Sequence, residues 1–305
     1  NYLYNYSQVS RTYANLMAMG YFKSARINFE EVSNDLKQNL ITLVGVDDKD
    51  KNAPINYTRE RYLDCNIYCT PALQQGIKAE LEASTTSSFY GLKAVVGYQN
   101  RNIFRGAEML EVTGTAGYEY MKAPNSKKRH AMEFGVAAGL SFPRFLAPIY
   151  PSPESRVWQP RTRLELSFDY QDRPYYRRNI FTTRWAYSWQ QGERSSFVLR
   201  PVDINWIDVK SVNQQFLEDI DNRYLQTSFE SQLTAGLSAS WIYNTQRSDF
   251  DQNVTIVRAN LESAGNLIQG LESLFSHHAP GKEYYEILGV RYSQYVRGEL
   301  SASHE

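Results

Sequence analysis

The sequence alternates between apolar and polar residues along most of its length, and the clearest example is TRLELSFDYQ at positions 162–171. One set of side chains in it is apolar: Leu164, Leu166, Phe168 and Tyr170. The other set is polar or charged: Arg163, Glu165, Ser167 and Asp169. Because successive side chains of a β-strand point to opposite faces, this period of two predicts a strand with one apolar and one polar face.

Ten segments of this kind follow one another after residue 76, and helical spacing nearly disappears there. Their apolar sets are Ile77, Ala79, Leu81 and Ala83; Leu92, Ala94, Val96 and Tyr98; Leu110, Val112, Ala116, Tyr118 and Tyr120; Met132, Phe134, Val136, Ala138, Leu140 and Phe142; the set in 162–171; Phe181, Trp185, Tyr187 and Trp189; the less regular stretch 195–209; Leu233, Ala235, Leu237, Ala239, Trp241 and Tyr243; Val257, Ala259 and Leu261; and Val290, Tyr292, Val296 and Leu300. The pattern predicts a mainly β protein.

Two environments explain an apolar face on nearly every strand: the dry core of a soluble double-sheet sandwich, or lipid. The segments span about 9 to 11 residues, which suits tilted strands that cross a bilayer, whereas strands of globular proteins average about 5 to 6. The polar set consists mainly of Gly, Ser, Thr and charged residues, as a water-filled lumen requires. Brief connections such as QRSDFDQN alternate with long polar ones such as KSVNQQFLEDIDNR. This favours a transmembrane β-barrel, with the sandwich as the alternative.

The composition is consistent with this interpretation. The chain has 305 residues and a formal net charge of +0, so no basic excess indicates a nucleic-acid partner. No apolar run approaches the 18 residues of a transmembrane helix. A barrel is compatible with a polar average composition, because its strands alternate. The 23 tyrosines and the 14% aromatic content suit aromatic girdles at two membrane interfaces.

Residues 1–75 differ from the rest and predict a small helix-plus-sheet module. Apolar residues recur at helical spacing between Val9 and Met19, and Gly20 stands where a C-terminal cap ends a helix. Two alternating segments, 25–29 and 63–69, predict strands. Cys65 and Cys69 share one strand face about 13 Å apart, which is too far for a disulfide. The two cysteines are therefore interpreted as structural thiols.

Several stretches resemble the BamA/TamA outer-membrane assembly superfamily. RTYANLMAMGYFKSARINF resembles a POTRA repeat, the periplasmic module that precedes the barrel in that superfamily. YQNRNIFRGAEMLEV, at 98–112, resembles its tight turn between barrel strands two and three, where Gly106 has a turn role. GLSFPRFLAP, at 139–148, is similar to the exit after strand four. VRANLESAGN and EYYEILGVRYSQYVRGEL resemble strands nine and ten of TamA-like members, particularly the TamL branch.

The resemblance implies a fold and a domain organisation. We expect a POTRA-like periplasmic module at 1–75 and the first ten or so strands of a sixteen-stranded barrel at 76–305, so that the sequence is a fragment of a longer protein. VRGEL, at 296–300, matches a Val-Arg-Gly-aromatic loop signature only superficially, because Glu299 stands in the aromatic position. Arg297 is interpreted as a strand residue that faces the lumen.

The resemblance also implies a function. The expected role is the assembly, insertion or translocation of outer-membrane proteins through a lateral barrel seam whose edge templates client strands. The client-binding gate strand consists of Ile77, Lys78, Ala79, Glu80, Leu81, Glu82, Ala83 and Ser84. Expected partners are unfolded outer-membrane protein clients, BamD-like or TamB-like periplasmic proteins, and outer-membrane lipid, with the protein located in the bacterial outer membrane.

No catalytic residue, metal site or cofactor is predicted. Glu80 and Glu82 share a face like a carboxylate pair, but lumen charge explains them. His277 and His278 lie in a long loop without further ligands, and DDKDKN from Asp47 lacks the Gly and Glu of a calcium loop. A passive outer-membrane channel, or an outer-membrane enzyme on a similar barrel, remains the alternative, although no partner can be assigned to His130. A soluble β protein is a more distant third.

Overall fold

The computed structural model describes residues 4–31, 63–122, 130–146, 157–218, 226, 228–246, 253–266, 286–287, 290–292 and 294–304. By its internal contacts the chain separates into two compact units. The first comprises Asn1–Met17 and Phe22–Ala72, and the second comprises Ala18–Tyr21 and Leu73–Glu305. The stretch DDKDKN from Asp47, which lacks the residues of a calcium loop, and the histidines at 277 and 278 lie outside the described residues.

The first unit contains one helix and a two-stranded sheet. Helix α1 (Tyr6–Ala18) begins after Asn5, whose side-chain oxygen accepts the backbone N–H of Ser7 at 2.9 Å. Gly20 follows the helix with a φ of +70°, as the sequence predicted for a helix stop. Strands β1 (Phe22–Glu31) and β2 (Leu63–Pro71) pair antiparallel. Both cysteines are free thiols on β2.

The second unit is an antiparallel sheet in which ten long strands follow one another. They are β3 (Gln75–Thr85), β4 (Phe89–Asn100), β5 (Met109–Met121), β6 (His130–Phe142), β7 (Val157–Asp172), β8 (Tyr176–Gln191), β9 (Ser195–Val212), β10 (Gln232–Asn244), β11 (Thr255–Ala264) and, after two short strands, β14 (Tyr295–His304). Each strand from β3 to β10 pairs with the next one along the chain, and β11 pairs with β14. The mainly β prediction is confirmed, and the first nine predicted segments correspond to β3–β11.

The irregularity predicted at 195–209 is a β-bulge in β9. The pairing steps from Trp185↔Val202 to Tyr187↔Leu199 on one side of β9. On its other side it steps from Gly236↔Asp203 to Ser238↔Arg200. β9 therefore has one residue more than both neighbours around Pro201, which cannot donate to a ladder because it lacks an N–H.

The tenth predicted segment was placed too early. Val290–Tyr292 forms a separate short strand, β13, which pairs parallel with the start of β10 and antiparallel with β12 (Glu286–Ile287). Only β14 continues the antiparallel sheet. The apolar residues at 290 and 292 have the same parity as those of β14, so the sequence pattern alone does not reveal the break.

A short helix, α2 (Gln214–Glu218), was not predicted and follows β9. Asn213 caps it by accepting the backbone N–H of Gln215 at 3.0 Å. Phe216 stacks on Tyr175 with 4.5 Å between ring centroids, which holds α2 against the β7–β8 turn. None of the described helices has the length and apolar composition needed to cross a membrane.

The two faces of the large sheet differ in composition and in exposure. We call the face that carries the predicted apolar sets the apolar face, and the other the polar face. On the apolar face Val136 is 57% and Leu166 59% exposed. Among the described residues the buried apolar side chains are Ala131 and Ala264, and the register places both on the polar face. The described apolar face therefore has no dry core above it, contrary to what a sandwich requires.

Candidate functional site at the open edge of the sheet

Strand β3 contains the whole predicted gate strand, Ile77–Ser84, and lies at one edge of the sheet. Among the described residues its only pairing partner is β4. All eleven residues of β3 are exposed, and Ile77 and Leu81 reach 80% and 74%. The strand thus presents an accessible edge along its full length.

The register shows which backbone groups of β3 point toward that open edge. Arg101 donates its N–H to the carbonyl of Gln74, and Thr86 donates its N–H to the carbonyl of Phe89, at the two ends of an unbroken register. In an antiparallel pair, hydrogen-bonded and non-hydrogen-bonded positions alternate. The even-numbered residues of β3 therefore bond to β4. The odd-numbered residues direct N–H and C=O groups to the open edge: Gln75, Ile77, Ala79, Leu81, Ala83 and Thr85.

The side chains of β3 follow the same odd–even alternation as its backbone groups. The odd-numbered residues from Ile77 to Ala83 place small or aliphatic side chains on the apolar face, opposite apolar residues of β4. The even-numbered residues place polar side chains on the polar face. There, Lys78 forms an ion pair with Glu80 at 2.5 Å. Glu82 is opposite Lys93 in the register, but the described residues include no ion pair to Glu82.

Hydrogen bonds from the turn between β4 and β5 hold the beginning of β3 in place. The guanidinium of Arg101 donates to the carbonyl of Leu73 at 2.9 Å, just before β3 begins. Within the same turn the carboxylate of Glu108, 3% exposed, accepts the N–H of Gly106 at 2.8 Å. A Cβ at Gly106 would lie 2.3 Å from an oxygen of Glu108, so the turn role predicted for this glycine has a steric reason.

A row of ion pairs crosses the polar face from β5 to β9. Arg163 contacts Glu111 at 3.1 Å and Glu165 at 3.6 Å, and Arg184 contacts Glu165 at 3.3 Å and Asp203 at 3.2 Å. We call these five residues the polar-face ladder. Arg163 lies on β7 and Glu111 on β5, so its side chain crosses β6. It passes over Gly139, where a Cβ would be 3.0 Å from the guanidinium.

A second cluster joins the β7–β8 turn to β5 and β6 near the opposite strand ends. Arg173 pairs with Glu119 of β5 and with Glu133 of β6, the latter at 3.1 Å. Glycines occupy part of the polar face between such residues, and Gly135 lies against Asp169 and Thr115. Long charged side chains lying over glycines explain why the polar face is the more covered of the two.

Aromatic side chains of the apolar face form clusters toward both ends of the strands. The first cluster consists of Phe145, Trp189 and Phe197, with centroid distances of 5.8 and 5.3 Å. The second consists of Phe168, Phe181 and Trp206, with centroid distances of 4.8 and 5.4 Å. The aromatic side chains thus form two separate clusters along these strands.

The other residues considered in the sequence have plain structural surroundings. His130, at the start of β6, stacks with Tyr118 at 6.5 Å between centroids. Arg297 lies on the polar face of β14, as expected, where it pairs with Glu299 at 3.5 Å. No group of three potential metal ligands occurs within the described ranges.

Sequence reasoning missed the polar-face ladder. The sequence signal was present as Arg and Glu at polar positions of 163, 165 and 184 with a glycine at 139. Only the register shows that Gly139 stands between Glu111 and Glu165.

No protein-family model matches the chain, and no curated protein matches it. The assignment to the BamA/TamA superfamily therefore stays a prediction.

Proposed function

We propose that this protein is an outer-membrane assembly or translocation factor that accepts client β-strands at the open edge of β3. The observation that carries the proposal is the exposed edge strand at the end of a sheet whose apolar face is exposed. The remaining support comes from the physics of strands in lipid and from the resemblance described above.

Lipid is the environment that suits the exposed apolar face. Burial of apolar surface contributes about 25 cal/mol per Å², so a face with Val136 and Leu166 more than half exposed is unfavourable in water. In a barrel this face contacts lipid and the polar face lines a wet lumen. The polar-face ladder and its glycines suit such a lumen, because water solvates charges that a dry core does not tolerate.

The strand dimensions support the same proposal. Strands β4–β10 have 12 to 18 residues, which is more than the 9 to 11 that a tilted strand needs to cross a bilayer. On β8, Phe181 and Trp189 belong to opposite aromatic clusters, about 26 Å apart along the strand at ~3.3 Å per residue. A tilt of about 40° reduces this to about 20 Å along the bilayer normal, near the height of a barrel's apolar band.

Strand addition supplies the mechanism. A client strand in lipid must have its N–H and C=O groups paired. The six odd-numbered residues of β3 offer both groups of each residue, and main-chain bonding makes little demand on the client's sequence. The edge of β3 therefore templates an incoming antiparallel strand. In this proposal the clients are unfolded outer-membrane proteins, and residues 1–75 act in the periplasm as a POTRA-like module that meets BamD-like or TamB-like partners.

A passive outer-membrane channel is the second candidate, favoured by the polar-face ladder. Charged side chains across a lumen wall suit ion passage. A channel needs a permanently closed wall, so the edge of β3 would be paired with another strand of the same protein in every state.

Crosslinking in cells separates the two candidates. A photoreactive residue is placed at Ala79 or Ala83 of the full-length protein, with Ala116 as the control. Ala116 has the same side chain and is exposed on the same apolar face, but it lies two strands inside the edge. Adducts between Ala79 or Ala83 and outer-membrane clients, absent at Ala116, are expected. Adducts confined to a strand of the same protein would refute the assembly function and favour the channel.

A further inference from the structure

We propose that β3 selects among incoming strands by charge, favouring those that carry Lys or Arg on the polar face opposite Glu82. This inference rests on the proposed function and adds a preference to it. It follows from the backbone parity of β3 and from the charges that this parity presents to a neighbour.

The parity brings the polar side chains of β3 close to those of an incoming strand. The odd-numbered residues direct their backbone groups outward, so they form the hydrogen-bonded pairs with an added antiparallel strand. The even-numbered residues, including Lys78, Glu80 and Glu82, then occupy the non-hydrogen-bonded pairs. In such pairs the Cα atoms are only about 4.5 Å apart and the side chains are closer than in the other kind. The charges of side chains at these positions therefore have the largest effect on the pairing of an incoming strand with β3.

Of Lys78, Glu80 and Glu82, only Glu82 lacks an ion-pair partner among the described residues. Glu80 is paired with Lys78 on its own strand at 2.5 Å, so an added cation gains less there. Glu82 has no ion pair with the described residues, and Lys93, opposite it on β4, forms no ion pair with it. A Lys or Arg arriving on the open side supplies an opposite charge directly across from Glu82. A Glu or Asp there meets a like charge, which is destabilising in a cross-strand pair.

The two effects set the expected size of the preference. Opposite-charge cross-strand pairs and like-charge pairs differ enough to change strand addition by about two- to fivefold. Ser84, the next polar-face residue of β3, carries no charge, so no charge preference is expected opposite Ser84.

The test uses the full chain in lipid nanodiscs with a photoreactive residue at Ala79. Two synthetic strand peptides alternate apolar residues with Ser and Thr, and they differ only in one central polar residue, Arg in one and Glu in the other. Crosslink yield is measured for each peptide, and mass spectrometry of the adduct gives the register. The variants are Glu82→Gln, Glu82→Lys and Glu193→Lys. The last makes the same change in net charge as Glu82→Lys, but in the exposed turn between β8 and β9.

The expected result is about two- to fivefold more adduct with the Arg peptide in the unmodified chain and in Glu193→Lys. The ratio should fall toward one in Glu82→Gln and invert in Glu82→Lys. Equal yields for both peptides in the unmodified chain would overturn the charge preference and leave the proposed function standing. Yields no higher than those from a photoreactive residue at Ala116 would overturn both.

Discussion

A pair of proline substitutions on β3 tests the backbone parity on which the candidate site depends. In Ala79→Pro the missing N–H is one that points to the open edge, so the ladder with β4 keeps all its bonds. In Glu80→Pro the missing N–H is one that bonds to Val95 of β4. Both variants impose the same restricted φ on a strand residue, so this cost is common to them.

Glu80→Pro differs from Ala79→Pro in two ways: it removes one ladder bond, which leaves the carbonyl of Val95 unpaired, and it removes the exposed ion pair with Lys78, which contributes at most about 1 kcal/mol. Leaving a backbone acceptor without its partner costs about 1–3 kcal/mol. The free energy of opening β3 from β4 should fall by this amount in Glu80→Pro and change little in Ala79→Pro. Proline on an edge strand is tolerated where its N–H side faces away from the sheet.

Hydrogen exchange of the β4 peptide 89–100 measures this opening in the full chain. Exchange in Glu80→Pro should be about 5- to 150-fold faster than in the unmodified chain, from the same 1–3 kcal/mol. Exchange in Ala79→Pro should be near the unmodified rate, while crosslinking to client strands falls, because the proline removes a donor from the open edge. Equal acceleration in both variants would show that the N–H of Ala79 is bonded in the folded protein, and the open-edge assignment would be wrong.

Three further pairs of substitutions test the sheet itself. Gly236→Ala should lower the free energy of unfolding in urea by about 1–3 kcal/mol, because its Cβ would lie 2.6 Å from a backbone carbonyl of β11. Gly97→Ala should change it little, because the nearest neighbours of a Cβ there are 3.9 Å away. Thr162→Val should cost about 1–3 kcal/mol, because the fully buried hydroxyl bonds two backbone groups of the segment after β6, at 2.7 and 3.0 Å. Thr162→Ser should restore most of that loss. Arg173→Met, which leaves two carboxylates side by side, should lower the urea midpoint more than Arg297→Met does, and 1 M salt should reduce the difference.

Much of the fold followed from the sequence because period-two patterning is a local property. The alternation in 162–171 identified β7 and assigned its residues to faces. Gly20 marked the end of α1 for an equally local reason, since a positive φ is easy only for glycine. The irregular stretch around Pro201 was recognisable as irregular, but its cause, one extra residue relative to both neighbours, depends on those neighbours.

The sequence predicted part of the candidate site, and the rest depends on how the strands pair. The sequence placed Ile77–Ser84 on a strand and separated its apolar from its polar residues. It gave no means of knowing which backbone groups of β3 point to the open edge, because that depends on the register with β4. It placed Arg163 and Gly139 at polar-face positions, but only the register shows that Arg163 reaches Glu111 over this glycine of the intervening strand.

For this protein, the sequence by itself determined the strands, their two faces and the residues on each, because side-chain direction alternates within a single strand. The tertiary structure decided which face is exposed, which strands are at the edges and which charges meet. Those properties arise only when strands pair, since a register is a relation between segments and is not encoded in the period of either one.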